Sequence, residues 1–309
     1  MSRSFTRRDF LRTAASGLAG LSAASALPDR VLAQRGKLEQ RPLGSTGIQV
    51  SLLGLGCVAL GSHGLSVADG AAVVEACIDS GITYIDCAST YGDAEVKVGE
   101  VMRSRRSEVV LATKTLERGS DRAWQEINRS LERLRTSNVD LLQIHAVNRM
   151  EDLNQVTASD GSLSAALRAR EEGLCSHIGI TGHTRPEVIA EALRRFAFAT
   201  ALVPLSSTDA LVSDFGSEIF PLAPERRFGI IAMKVLAAGR VTTHVRESIS
   251  YALSLPISTA VVGMGTVDEV TANVAVAQQY VPMGPEERAA LEEQTRQYAT
   301  TSVLWWKRR

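Results

Sequence analysis

The sequence predicts an α/β protein, a closed (β/α)8 TIM barrel with an N-terminal β-hairpin cap and an extra C-terminal helix. Three observations predict it. From about residue 51 onward, short apolar runs alternate with amphipathic segments at helical spacing, the pattern of parallel strands joined by crossover helices. Eight such units fit into about 230 residues, close to the usual size of this barrel. Proton-handling residues also gather at the C-terminal ends of three successive runs, the face of such a barrel where chemistry is done.

The elements follow in order. Residues 38–50 hold turn residues, Gly44-Ser45-Thr46-Gly47, between two short alternating runs, and read as a hairpin ahead of the barrel. Strands are expected at 51–55, 83–86, 109–114, 139–145, 177–181, 201–205, 229–234 and 259–262. Helices are expected at 71–79, 94–103, 122–134, 162–172, 186–196, 245–254 and 267–279. In the third of these, Trp124, Ile127, Leu131 and Leu134 recur at helical spacing while Arg, Glu and Asn take the other face. A further helix at 286–298 caps the barrel before the tail Trp305-Trp306-Lys307-Arg308-Arg309. Residues 37–309 contain no linker, repeat or low-complexity tract, so they form a single domain.

The chain has 309 residues, 45% hydrophobic and 22% charged, with a formal net charge of zero. That balance argues against nucleic acid as a partner, since phosphate binding wants a basic excess. The N-terminus stands apart. Thr6-Arg7-Arg8-Asp9-Phe10-Leu11-Arg12 precedes a weakly apolar run, 14–27, and a small-residue exit, which together make a signal peptide at residues 1–33. The paired arginines resemble the twin-arginine (Tat) export signal, which implies the Tat machinery as a partner and a periplasmic or otherwise exported bacterial protein. The run is too short and polar for a stable membrane span. Val31-Leu32-Ala33 is the first cleavage candidate and Ala24-Ser25-Ala26 the second. Cleavage there leaves 29 basic and 32 acidic residues, a net of about −3. Cys57, Cys77, Cys87 and Cys175 show neither a CxxC pair nor metal spacing, so no essential disulfide is expected.

The chemistry concentrates in Thr83-Tyr84-Ile85-Asp86, in Tyr91 five positions on, in Val110-Leu111-Ala112-Thr113-Lys114 and in Asp140-Leu141-Leu142-Gln143-Ile144-His145. A lysine ending so apolar a strand needs a carboxylate, and Asp86 ends the neighbouring strand. A phenol of ordinary pKa, about 10, is a weak acid near neutrality. Lys114 beside it is expected to lower that pKa and make Tyr91 a general acid. His145, as a neutral imidazole, can donate to the same carbonyl oxygen.

With these residues the chain resembles the aldo-keto reductases from Leu38 to about Thr300. The likeness rests on the four residues above, the opening hairpin and the Gly54-Leu55-Gly56 strand. The resemblance implies a (β/α)8 barrel that binds an extended NADP(H) without a Rossmann domain and reduces aldehydes and ketones, or oxidises the alcohols, by hydride transfer. It assigns proton donation to Tyr91, tuning to Lys114 and Asp86, and carbonyl orientation to His145.

The implied cofactor contacts depart from the family pattern. Where the family has Ser-Asn, this chain has Thr181-Gly182, then His183. Where an aromatic ring stacks on the nicotinamide, it has Met233, then Lys234, which can meet the diphosphate. In the adenosine loop Gly263, Thr266 and Asn273 fit, but Glu269 replaces the expected basic residue. A carboxylate there opposes a 2′-phosphate and suits a ribose hydroxyl. NADP(H) remains the first expectation and NAD(H) the second. The run Gly54-Leu55-Gly56-Cys57-Val58-Ala59 fits GxGxxA, yet 60–64 does not read as a helix, so it is taken as the first barrel turn. His177 and His183 lack a third ligand, and no metal is expected. The alternative to a carbonyl reductase is a nicotinamide-binding sensor or partner subunit with little turnover. It is told apart by bound cofactor without consumption on aldehydes.

Overall fold

The computed structural model describes residues 38–62 and 64–307. The export signal expected at 1–33 lies outside the described residues. The chain opens with β1 (Gln40–Pro42) and β2 (Gln49–Ser51), an antiparallel hairpin with Gln40 opposite Ser51. Eight parallel strands follow: β3 (Leu53–Gly56), β4 (Tyr84–Asp86), β5 (Val110–Thr115), β6 (Val139–Ile144), β7 (Cys175–Thr181), β8 (Thr200–Pro204), β9 (Gly229–Met233) and β10 (Thr259–Gly263). They pair in chain order, and β10 returns to β3 to close the barrel.

All eight expected barrel strands are present, shifted at their ends by a few residues. The first shows the largest difference in kind. Residues 51–55 are not one strand, because Ser51 completes the hairpin and the barrel begins at Leu53. Ser51 makes this corner by donating its hydroxyl to Leu53 O at 2.7 Å while its own N–H donates to Thr83 Oγ1 at 2.8 Å.

A second correction concerns the first barrel turn. Residues Val58–Ser62 form a short α-helix, where the sequence suggested none. Its glycine, Gly61, is packed so tightly against the backbone of Tyr91 that a Cβ would overlap the Tyr91 carbonyl.

The period-2 alternation of strands sets what lies inside. Tyr84, Ala112, Leu141, Leu202, Ile231, Met233 and Val261 fill the barrel, and the hairpin's Leu43 and Val50 close its floor. The other face of each strand packs under the surrounding helices in a second, larger apolar layer, which also contains all four cysteines. Ser120–Leu134 illustrates the outer ring. Ile127, Leu131 and Leu134 are buried against the strands, whereas Trp124 sits at the edge, stacked 3.7 Å under the Arg168 guanidinium. At the floor the barrel is closed by apolar side chains, joined by the buried hydroxyls of Thr200 and Thr259 at the starts of β8 and β10. The charged pair enters toward the C-terminal ends of the strands.

Candidate active site

Asp86 and Lys114 build the site's centre. Asp86 faces Ala112 across β4 and β5, so Lys114 stands two residues further along with its side chain on the same inner face. The lysine reaches back: its Nζ lies 2.5 Å from Asp86 Oδ2 and donates to Cys87 O at 2.6 Å. The other carboxylate oxygen accepts from Gln143 Nε2 at 2.9 Å and from the Tyr84 hydroxyl at 3.4 Å. Both charges are almost fully buried, 3% and 1% exposed, so each depends on the other. Burial alone would lower the Lys114 pKa, but the Asp86 carboxylate, with Tyr91 behind it, pushes it above the ordinary lysine range.

Tyr91 lies in the loop after β4, half-buried, with the Lys114 ammonium 4.8 Å from its ring centroid. The loop is held by backbone. Tyr91 N–H donates to Ala88 O, and its carbonyl accepts from Ala94 N–H at the start of the helix Ala94–Arg105. Gly92 takes a left-handed φ of 57°, and a Cβ on it would meet Gly61 O at 2.7 Å. Glycine against glycine is therefore what lets the tyrosine loop settle on the 58–62 helix.

The net direction of the Tyr91 pKa differs from the expectation. Burial raises it above the ordinary value, Lys114 pulls it down, and Asp86 pushes it up again. The ammonium acts in the expected sense. However, loss of water from the phenolate outweighs it at this depth. The consequence is a phenol that keeps its proton, which is the loaded form of a general acid.

His145 directly follows β6. Its N–H donates to Thr115 O, its carbonyl accepts from the Arg118 guanidinium at 2.8 Å, and its ring stands edge-on to Tyr91, 6.0 Å between centroids. Burial first, then the cations of Lys114 and Arg118, hold its pKa well below the usual histidine value. It is a neutral imidazole, and its buried Nδ1 has no partner among the described residues. His183 lies 6.0 Å beyond it, its own pKa pushed down to about 3, mainly by burial and then by Lys234.

Of these side chains, Asp86, Tyr91 and His183 line a cleft of about 440 Å³ at the C-terminal face of the barrel. Its lining includes Gly56, Asp86 and Tyr91, then His183, Met233 and Lys234, and also Glu269 and Gly263, which pairs with Gly56 where β10 closes on β3. Met233 thus lines the cleft where the aromatic ring was expected. Thr181 does not. It is fully buried, and its Oγ1 accepts from Ala146 N–H at 2.8 Å. Gly182 has no room for a side chain, since a Cβ would meet Val147 O at 2.7 Å. Asn148 fills the gap from the neighbouring loop, accepting from His183 N–H at 2.7 Å.

At the adenosine loop, Thr266 caps the helix Val267–Gln279 by accepting from Glu269 N–H, and Glu269 Oε2 accepts from Gly265 N–H at 2.8 Å. A carboxylate therefore sits on a helix N-terminus, the place that otherwise attracts a phosphate. Asn273 is buried on that helix, and its Nδ2 has no hydrogen-bond partner among the described residues. A cleft edged by open glycine backbone at Gly263 can admit a dinucleotide. The carboxylate fits a ribose hydroxyl better than a 2′-phosphate.

Several site residues lacked a reading in the sequence. Tyr84 and Gln143 each precede a catalytic candidate by two positions, the spacing that puts them on the same strand face. That signal was available. Asp209 was not legible. It is buried beyond β8, 3.1 Å from Lys307, and this pair fastens the tail, while Trp306 O accepts from Thr184 Oγ1. Among the described residues no group of three side chains is placed to hold a metal, and no helix is long and apolar enough to cross a membrane.

Residues 52–252 match the family model described as "Aldo/keto reductase family"; the chain belongs to that family. L-galactose dehydrogenase of Arabidopsis thaliana is 26% identical over 314 residues, 87% of this chain and 97% of the relative. The uncharacterized oxidoreductase YqkF of Bacillus subtilis is 28% identical over 222 residues, 66% of this chain and 67% of the relative. An aldo-keto reductase from Klebsiella pneumoniae, solved in complex with NADPH, superposes with a TM-score of 0.71 at 22% identity. That match covers 85% of this chain and 98% of the other, a likeness in fold.

Proposed function

We propose that the protein reduces aldehyde or ketone carbonyls with a nicotinamide cofactor, or oxidises the corresponding alcohols, with Tyr91 as the general acid. The observation that carries this reading is the mutual contact of Tyr91, Lys114, Asp86 and His145, two of which, Asp86 and Tyr91, line the cleft. A nicotinamide cofactor bound along the cleft would supply the hydride. Met233, Lys234, Gly263 and Glu269 line the cleft, and Thr266 and Asn273 lie on the adjoining helix that would receive the adenosine end. NADP(H) is the cofactor we propose first, on family grounds; the aldo-keto reductase of K. pneumoniae that shares this fold was solved with NADPH. Glu269 argues for weakened selectivity and use of NAD(H) as well.

The chain's own residues do the proton work. Tyr91 arrives protonated, and the neutral His145 offers a second hydrogen bond to the substrate oxygen. As negative charge develops on that oxygen, the proton moves from the Tyr91 hydroxyl to it. The phenolate left behind is stabilised by the Lys114 ammonium, whose charge Asp86 secures. The test is Tyr91→Phe, assayed by NADPH consumption with a panel of aldehydes. Turnover should vanish while NADPH binding, followed by fluorescence, stays close to wild type. Turnover at wild-type rates in that variant would overturn the mechanism.

The twin-arginine-like N-terminus supports export of the folded enzyme, with cofactor loaded before translocation and regenerated by coupling one oxidation to one reduction. Mature periplasmic protein isolated free of nucleotide would overturn that proposal.

A further inference from the structure

The cleft contains one cation that its neighbours do not neutralise. Three lysines surround the mouth. Lys114 is paired with Asp86 and Lys307 with Asp209. Lys234 has no carboxylate within 4.0 Å among the described residues. Glu269, which also lines the cleft, holds Gly265 N–H.

The ammonium is nevertheless fixed. Lys234 takes a left-handed φ of 61° just past β9, a conformation uncommon for a non-glycine residue. Its Nζ stands 4.9 Å from the Trp306 ring centroid and 5.4 Å from that of Trp305. Aromatic faces hold a cation in place without cancelling its charge. The tail presenting those rings is itself anchored by the buried Lys307–Asp209 pair. Burial accordingly lowers the Lys234 pKa, with Asp209 only partly offsetting it.

The position of this charge matters. Lys234 lines the cleft together with His183, Met233 and Tyr91. It is close enough to act on both imidazoles, which stay neutral beside it. An anionic group entering the cleft would find a positioned cation, and the acid that acts on that cation, Asp209, is already paired with Lys307.

From this geometry we infer that the substrate is an anionic carbonyl compound, whose carboxylate is received by Lys234 while its carbonyl oxygen lies at Tyr91 and His145. The inference rests on the carbonyl-reductase reading and adds the class of substrate to it. A carboxylate and the cofactor's diphosphate are both anions, and the experiment separates them.

The assay compares matched pairs at saturating NADPH: 4-carboxybenzaldehyde with 4-carbamoylbenzaldehyde, and 4-oxobutanoate with 4-oxobutanamide. For at least one pair, wild-type kcat/KM should favour the anion by roughly tenfold or more. Lys234→Met should bring that ratio near one, and Lys234→Arg should restore most of it. NADPH affinity and a thermal melt are read for each variant. Turnover of the neutral aldehydes without anion preference in any pair overturns the inference and leaves the reductase reading standing. No turnover of any aldehyde overturns both. A ratio unchanged in Lys234→Met, with NADPH binding weakened, assigns the lysine to the cofactor's phosphates and also overturns it.

Discussion

Lys114 Nζ lies 2.5 Å from Asp86 Oδ2, and the two side chains rise from neighbouring barrel strands offset by two residues in register. Both are almost fully buried, so the pair is a single electrostatic unit. Removing one member by Asp86→Ala or Lys114→Met should cost about 3–5 kcal/mol of stability, because the survivor is left charged and dry. The combined Asp86→Leu/Lys114→Met variant should lose less than the sum. Chemical denaturation of the three variants checks this, and strict additivity would refute the coupling.

The pH dependence of carbonyl reduction follows from the direction of two pKa shifts. Tyr91 titrates above the ordinary tyrosine value, so it keeps its donated proton until roughly pH 10 or higher. His145 titrates well below the ordinary histidine value, so it is already neutral at and above roughly pH 6.5. A plot of log kcat against pH should therefore be flat across that window. A descending limb centred near pH 8 would mean that the ammonium dominates the phenol after all.

Glu269→Arg replaces the carboxylate on Gly265 N–H with a cation near the expected 2′-phosphate. The ratio of NADPH to NADH affinity should move toward NADPH by roughly tenfold or more. Loss of the capping interaction should cost about 1 kcal/mol in stability. Titration calorimetry with both cofactors reads the ratio; an unchanged ratio removes Glu269 from cofactor discrimination.

Gly61→Ala places a methyl group on the Tyr91 backbone without touching a reacting atom. Displacing the acid by about an ångström should lower kcat by roughly 100-fold. Steady-state kinetics on the folded variant, verified by circular dichroism, provides the measurement. Undiminished kcat would show that the loop relocates freely.

The parts of this protein legible in its sequence were those governed by periodicity. Apolar runs marked all eight strands, and Asp86, Lys114 and His145 at their ends identified the centre of the site. Cross-strand register was not legible: the sequence shows that Asp86 and Lys114 end neighbouring strands, but not that they stand two residues apart in register. The sign of the Tyr91 shift escaped for a related reason. A spacing reveals that an ammonium is near, but not how much water the fold removes. The short helix at 58–62 and the Asp209–Lys307 clasp depend on contacts between distant segments, to which local pattern is blind.

Under Asp86, Gln143 and Tyr84 occupy the remaining space, and the hairpin's Leu43 and Val50 stopper the barrel below them. With Tyr91 as the proposed general acid, a phenolate spent in one turnover has this packed interior on one side and the cleft on the other. Its replacement hydrogen must arrive through the mouth, once the alcohol has departed, so recharging the acid and releasing the product share a single doorway.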